Sequence, residues 1–401
     1  MTTRDGSNQD KNVVAPLLHP SCTPCPQALP AGIAGARPPS SLAHIVAQAN
    51  IQRLSLIGLS KNVGKTTTTN HLLETLLSEG LYRAEELVIT SLGLDGEATD
   101  ALTGLPKPRY VPQSGIIVAT TADLLRQAES EGTQLEHLLQ LPGRTALGPV
   151  MLARVVRPGR IIIAGPTLLR DLRSTLDQLT EEYGTRLAII EGAINRLGAA
   201  SPAITDACIV CTGASAGATP EIVARRTADV LARLTTPQTR WIDAYRKLEP
   251  QAHLLICSSE NGDTEQFMSL SEPVIEARWI VEHMQPAQRA IFLLRGAFTE
   301  ELSRELLAQL PQQSGNVQSE QQAELVIGDA TRIFCHSVVL QRLAARGLHV
   351  RVAAPIHILA LTINPYTPEY ACTPQRLLDA LIKELPSGHP PILDVVSGLS
   401  A

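Results

Sequence analysis

The chain has 401 residues, with 44% hydrophobic side chains, 3% aromatics, and 34 lysines and arginines against 39 aspartates and glutamates, giving a formal net charge of −5. That length exceeds one ordinary core and points to two domains. The acidic balance, the lack of a long basic run and the scarcity of aromatic rings argue against nucleic acid and anionic membranes as partners, and no apolar run approaches the roughly 20 residues that span a bilayer.

The N-terminus is polar, with no apolar stretch behind it, so no signal peptide is expected. Seven cysteines, scattered along the chain, suit a reducing cytoplasm better than a disulfide framework. Residues 1–42 are rich in Pro, Ser, Gly and Ala and read as a disordered tail. Cys22 and Cys25 have metal-like spacing there, but no second ligand pair stands nearby.

Residues 43–240 alternate strand-like and helix-like stretches. Strands are expected over 54–58, 86–91, 115–120, 160–164, 187–191 and 207–211. They are short, apolar throughout and rich in Ile and Val, the mark of strands buried on both faces. Helical spacing covers 66–79, 122–136, 167–183 and 220–234. Successive βαβ units predict an α/β fold, a doubly wound, mostly parallel sheet. A second, smaller α/β domain is expected over 250–401, with strands at 253–257, 290–294, 325–328, 350–352 and 358–363 and helices at 299–309, 335–346 and 373–385.

The first strand runs into Gly58, Leu59, Ser60, Lys61, Asn62, Val63, Gly64, Lys65, Thr66 and Thr67. A strand, a Gly-containing loop, Gly-Lys-Thr and a helix make the order of a phosphate-binding P-loop. Main-chain amides and the helix N-terminus would cradle phosphates, Lys65 would reach the β- and γ-phosphates, and Thr66 would ligate Mg²⁺. The usual first glycine is displaced: Leu59 holds its place and Gly58 stands one residue early. Lys61 adds a second cation inside the loop.

Three carboxylates are candidates for the metal shell and the attacking water: Glu191, which ends an apolar strand, Asp95, after the second strand, and, second to Asp95, Glu97. Each has an alternative reading as a helix cap or a turn residue. Arg196 follows Glu191 and is either a charge-neutralising group or a surface arginine. The segment 211–217 is built of small residues that let a base or ribose approach. No Asn-Lys-x-Asp run is present, which favours ATP over GTP. Asn364–Pro365–Tyr366, Asp329 and Asp394 line a second pocket or act as strand-end caps.

These residues resemble the deviant P-loop class that includes dethiobiotin synthetase and the molybdopterin guanine dinucleotide adaptor proteins. Glu191–Arg196, Ala200–Ser201–Pro202, Thr212–Gly213–Ala214 and Ile363–Asn364–Pro365–Tyr366 resemble more closely a family of bacterial P-loop proteins associated with cobalamin-dependent lysine and ornithine aminomutases. The likeness spans residues 52 to about 396. It implies an ATPase that reactivates an aminomutase partner, and a homodimer with Lys61 at its interface. That family carries Asp where this chain has Glu191, and no Asp-x-His-x-x-Gly cobalamin-binding run occurs here. A ligase of the dethiobiotin synthetase kind and a low-turnover nucleotide-binding adaptor are the alternatives.

Overall fold

The computed structural model describes residues 41–93, 109–145, 147–192, 197–248, 253–257, 264–268, 272–284, 290–311, 323–367 and 372–401. The first 40 residues, including Cys22 and Cys25, lie outside them. In chain order the elements are α1 (Leu42–Gln48), β1 (Arg53–Gly58), α2 (Lys65–Ser78), β2 (Leu87–Leu92), β3 (Ile117–Thr121), α3 (Ala122–Ser130), β4 (Gln134–Thr145), β5 (Gly148–Arg157), α4 (Leu169–Tyr183), β6 (Leu187–Gly192), β7 (Ala207–Gly213), α5 (Pro220–Leu234) and α6 (Ile242–Arg246). They continue with β8 (Leu254–Cys257), β9 (Thr264–Met268), α7 (Pro273–His283), β10 (Ile291–Leu294), α8 (Glu300–Gln309), β11 (Ala323–Ile327), α9 (Ser337–Ala344), β12 (Leu348–Val352), β13 (Ile358–Asn364), α10 (Pro374–Glu384) and β14 (Ile392–Leu393).

The large sheet has nine strands in the order β14-β13-β7-β1-β6-β2-β3-β5-β4, and a second sheet has five, in the order β12-β11-β10-β8-β9. Every neighbour from β14 to β3 is parallel. All residues of β2, β6 and β7 are buried, as their largely apolar sequences favour, with Thr90, Ser91, Glu191 and Thr212 as the polar exceptions. Alternation along β6 shows why: Leu187 and Ile189 join one core cluster, while Ala188 and Ile190 join another with Leu172, Leu176 and Leu179 of α4. The fold is therefore α/β with a large, mostly parallel sheet.

Three expectations are corrected. The helix expected to reach 136 stops at Ser130, where Gly132 takes φ +101. The chain then forms a β4–β5 hairpin antiparallel to β3, closed at Gly148, whose φ of +103 suits only glycine well. The segment 160–164 is not a ladder strand. The β2–β3 pairing is confined to Val88–Ile117 and Ile89–Val118, and residues 161–166 enter beyond it. There Ala164 N donates to Thr120 Oγ1 at 3.0 Å, and Gly165 N donates to Ser91 Oγ at 2.9 Å. Finally, β13 and β14 belong to the large sheet, with β13 beside β7, so the chain returns from the second sheet to finish the first. Helix α10 accordingly packs on α5. Helix α1, capped by Ser41 Oγ accepting from His44 N, begins at the expected boundary between tail and domain.

One core cluster runs through both sheets, from Leu54, Ile189 and Leu361 to Phe292, Leu325 and Val352. Ser201 Oγ donates to Asp329 Oδ2 at 2.8 Å, and Thr239 N donates to the Val352 carbonyl at 2.9 Å, stitching the layers together. Among the described residues no helix is long and apolar enough to cross a membrane.

Candidate functional site

The loop between β1 and α2 is fixed from three sides. Leu59 N donates to the Cys211 carbonyl at 3.0 Å, beyond the end of β1. Ser60 Oγ donates to the Ser215 carbonyl at 3.1 Å, and Ser215 Oγ returns a bond to the Lys61 carbonyl at 2.6 Å. Asn364, at the end of β13, donates from Nδ2 to the Asn62 carbonyl at 2.7 Å. Asn62 and Gly64 both take positive φ, +59 and +87, a conformation that glycine accepts freely and asparagine better than most residues. The loop therefore carries its two left-handed residues where its sequence can tolerate them.

This curl leaves donors facing outward. The amides of Val63 through Thr67 donate to no carbonyl or side chain among the described residues. They stand at the positive end of α2, whose N-cap Gly64 makes no side-chain cap bond. A run of unsatisfied amides at a helix N-terminus is an anion cradle.

Lys65 is only 7% exposed. A Cβ built on Gly58 would lie 3.1 Å from both its Cδ and its Nζ, so the side chain folds back over the end of β1. A side chain at position 58 would also stand 2.9 Å from Val63 Cγ2, so the bare glycine accommodates both Val63 and the lysine that crosses it. Beneath the lysine, Thr68 Oγ1 donates to Thr362 Oγ1 at 3.2 Å. Burial pushes the neighbouring Cys211 thiol up to about 11, against the opposing pull of Thr362, Lys65 and Thr68.

Glu191 is also 7% exposed. It stands on β6, directly beside β1, in register with Leu56 on one side and Ser91 on the other. A carboxylate thus ends the strand next to the one that feeds the loop. Thr66 and Thr67 are half-buried in the first turn of α2. Asp95 and Glu97, and likewise Asn195 and Arg196, lie outside the described residues.

The strand order explains the convergence. From β1 the chain moves through α2 to β2 on one side, while from β7 it leads to β13 on the other. Connections that run in opposite directions from adjacent parallel strands open a crevice at their carboxyl ends, the usual ligand position in open α/β sheets. The loops after β1 and β7 meet there, and the β13 end closes over them. A Cβ on Gly213 would come within 2.4 Å of the Asn364 carbonyl oxygen.

Asn364, expected either to line a second pocket or to cap its strand, instead braces the loop through its bond to the Asn62 carbonyl. The available signal was an apolar strand ending in a polar residue and a turn, the same pattern as β1 and β7. Asp329 and Asp394 have ordinary roles. Asp329 Oδ1 accepts from Thr331 N at 2.9 Å, and Asp394 Oδ1 accepts from Val396 N at 2.9 Å. No group of three His, Cys, Asp or Glu side chains suited to a metal occurs among the described residues. Thr66 with Glu191 stays compatible with magnesium, which usually takes one or two protein ligands and fills its shell with phosphate and water. The chain matches no protein-family model, no curated protein and no solved structure.

Proposed function

We propose that this chain is an Mg-ATP-binding P-loop ATPase and that it serves as an accessory, reactivating factor for a cobalamin-dependent aminomutase. One observation carries the nucleotide half: the Val63–Thr67 amides are unpartnered at the mouth of α2 while Lys65 is folded over Gly58 beside them. Oriented amides, a helix N-terminus and a lysine form a site for a polyphosphate. The amides hold the phosphate oxygens, Lys65 supplies a compact positive charge, and Lys61 adds another at the loop's crest. Thr66 and Glu191 would hold Mg²⁺, directly or through its water, and the ion when bound neutralises charge on the phosphates. Glu191, on the strand beside the loop, orients the attacking water.

The aminomutase half rests on the resemblance carried by the motifs at 191–196, 200–202, 212–214 and 363–366. Hydrolysis would then drive a change in the partner that allows cobalamin exchange.

The test is calorimetry with ATP and magnesium, followed by turnover with and without a candidate aminomutase. Saturable ATP uptake that Lys65→Ala abolishes is the expected outcome. Wild-type binding and hydrolysis by Lys65→Ala refute the site. Formation of a small-molecule product from ATP and a metabolite, with no protein partner present, refutes the reactivating role.

A further inference from the structure

The second sheet carries a separate cluster of charge that the nucleotide reading does not use. A cavity of about 30 Å³ opens between β12 and the segment preceding α6, lined by Arg240, Trp241, Ala290, Ile291, Glu324, His349 and Arg351. Ile291, Glu324 and His349 form one rung across β10, β11 and β12, and Arg351 stands two residues along β12 on the same face. The wall is pinned by backbone: Val352 N donates to the Pro237 carbonyl at 3.0 Å and Thr239 N to the Val352 carbonyl at 2.9 Å. Thr239 Oγ1 also donates to Glu324 Oε2 at 2.9 Å, which holds that carboxylate in place. The Arg240 guanidinium lies 4.6 Å from the centroid of the Trp241 ring.

The cluster is unbalanced. Two guanidinium groups face one carboxylate, and that carboxylate already accepts a hydroxyl proton. Among the described residues the half-buried Arg351 guanidinium makes no hydrogen bond and no ion pair. Its donors are therefore open to a ligand, and none is committed to another protein group among the described residues. His349 beside it sits below its ordinary value, through burial and the Arg351 charge, with Glu324 opposing.

We propose that this cavity is a binding site for a small oxyanion head group, a phosphoryl or a carboxylate, held by Arg351 and Arg240 with His349 as a third, proton-dependent donor. Size and charge select the class. The cavity is small, about 30 Å³, and lined by two guanidinium groups, which suits one oxyanion head. The fixed wall and floor supply the preorganisation that makes a shallow site effective. An anion favours imidazolium, so affinity rises as pH falls through the His349 pKa.

The test uses the full chain carrying Lys65→Ala throughout, which weakens anion binding at the nucleotide loop, and the Arg351→Gln and Arg240→Gln variants separate the cavity from whatever the loop amides still hold. Inorganic phosphate, sulfate and succinate are titrated separately by calorimetry. Sulfate does not titrate between pH 5.5 and 8, so its pH dependence reports the protein. Saturable one-to-one binding of a tetrahedral anion, of succinate, or of both that Arg351→Gln or Arg240→Gln weakens supports the site and names the head group. Arg351→Gln should weaken binding at least about tenfold, the loss of one charged hydrogen-bond set, with an unchanged melting temperature. His349→Gln should keep binding but flatten the rise in sulfate affinity at low pH. No saturable binding, or binding that Arg351→Gln and Arg240→Gln both leave intact, overturns the proposal.

Discussion

Gly58→Ala isolates the packing of Lys65 over the end of β1. The backbone at Gly58 is not left-handed, so alanine meets no conformational penalty there. Its Cβ would stand 2.9 Å from Val63 Cγ2 and 3.1 Å from both Cδ and Nζ of Lys65. The first contact is the harder to relieve, because Val63 is 2% exposed and β-branched side chains are stiff. The lysine must therefore swing away from the strand end, and the loop must shift by a few tenths of an ångström. Over-packing of this kind costs about 1–3 kcal/mol of stability. If the loop holds ATP as proposed, a displaced Lys65 would lose a charged contact with phosphate worth about 1.5–3 kcal/mol, equivalent to a roughly ten- to hundred-fold rise in Kd for ATP. Calorimetry with Mg-ATP measures the affinity, and a thermal melt of the apoprotein separates it from unfolding. Wild-type affinity in Gly58→Ala would refute the claim that the bare glycine makes room for the lysine. Loss of affinity with a collapsed melt would instead assign Gly58 to folding.

Other outcomes follow from the same geometry. Glu191→Gln keeps the shape of the strand end and removes its charge, so ATP binding should persist while hydrolysis falls by about 10²-fold or more; turnover equal to wild type, measured by phosphate release, removes Glu191 from the mechanism. Asn364→Ala deletes the 2.7 Å bond to the Asn62 carbonyl, leaving the left-handed loop unbraced, and should raise the Kd for ATP several-fold with little change in melting temperature; an unchanged Kd would show that the loop holds itself. Gly165→Ala would place a Cβ 1.7 Å from the Ser91 carbonyl oxygen, and the resulting backbone shift should cost about 3 kcal/mol or more, read as a lowered denaturant midpoint; wild-type stability would contradict the wedge beside β2. Burial pushes the Cys208 and Cys211 thiols up to about 12 and about 11. A raised value means less thiolate at any given pH, on the order of one part in a thousand or less at pH 8, so maleimide should reach neither in the native state and both after unfolding; mass spectrometry that finds Cys208 labelled in the folded protein would refute its burial.

Much of the fold was legible because burial on both faces leaves a plain mark. The runs at β1, β2, β6 and β7 are apolar without alternation, and only a covered parallel sheet asks for that. The Gly-Lys-Thr corner was equally plain, since a short-range motif fixes both the turn and the start of the helix. Helix α5 begins at Pro220 behind its Thr219 cap, as local signals required. What failed was long-range pairing. The β4–β5 hairpin was hidden because Leu124, Leu125 and Leu135 fit a helical spacing as well as they fit a helix followed by a strand, and nothing local distinguishes the two. The placement of β13 was hidden for a stronger reason. Its apolar run fits either sheet, and only the unpaired edge of β7 decides which one receives it. That choice carries the site. The sequence alone determined the loop, the lysine and the acid on the next strand, because each is local to a strand end. Tertiary structure alone decided that Asn364, some 300 residues along the chain from Asn62, braces the loop, and that Arg240, Glu324, His349 and Arg351 share one cavity. Both depend on which strands lie side by side, and strand order is fixed by packing of the whole chain rather than by the residues of any one strand.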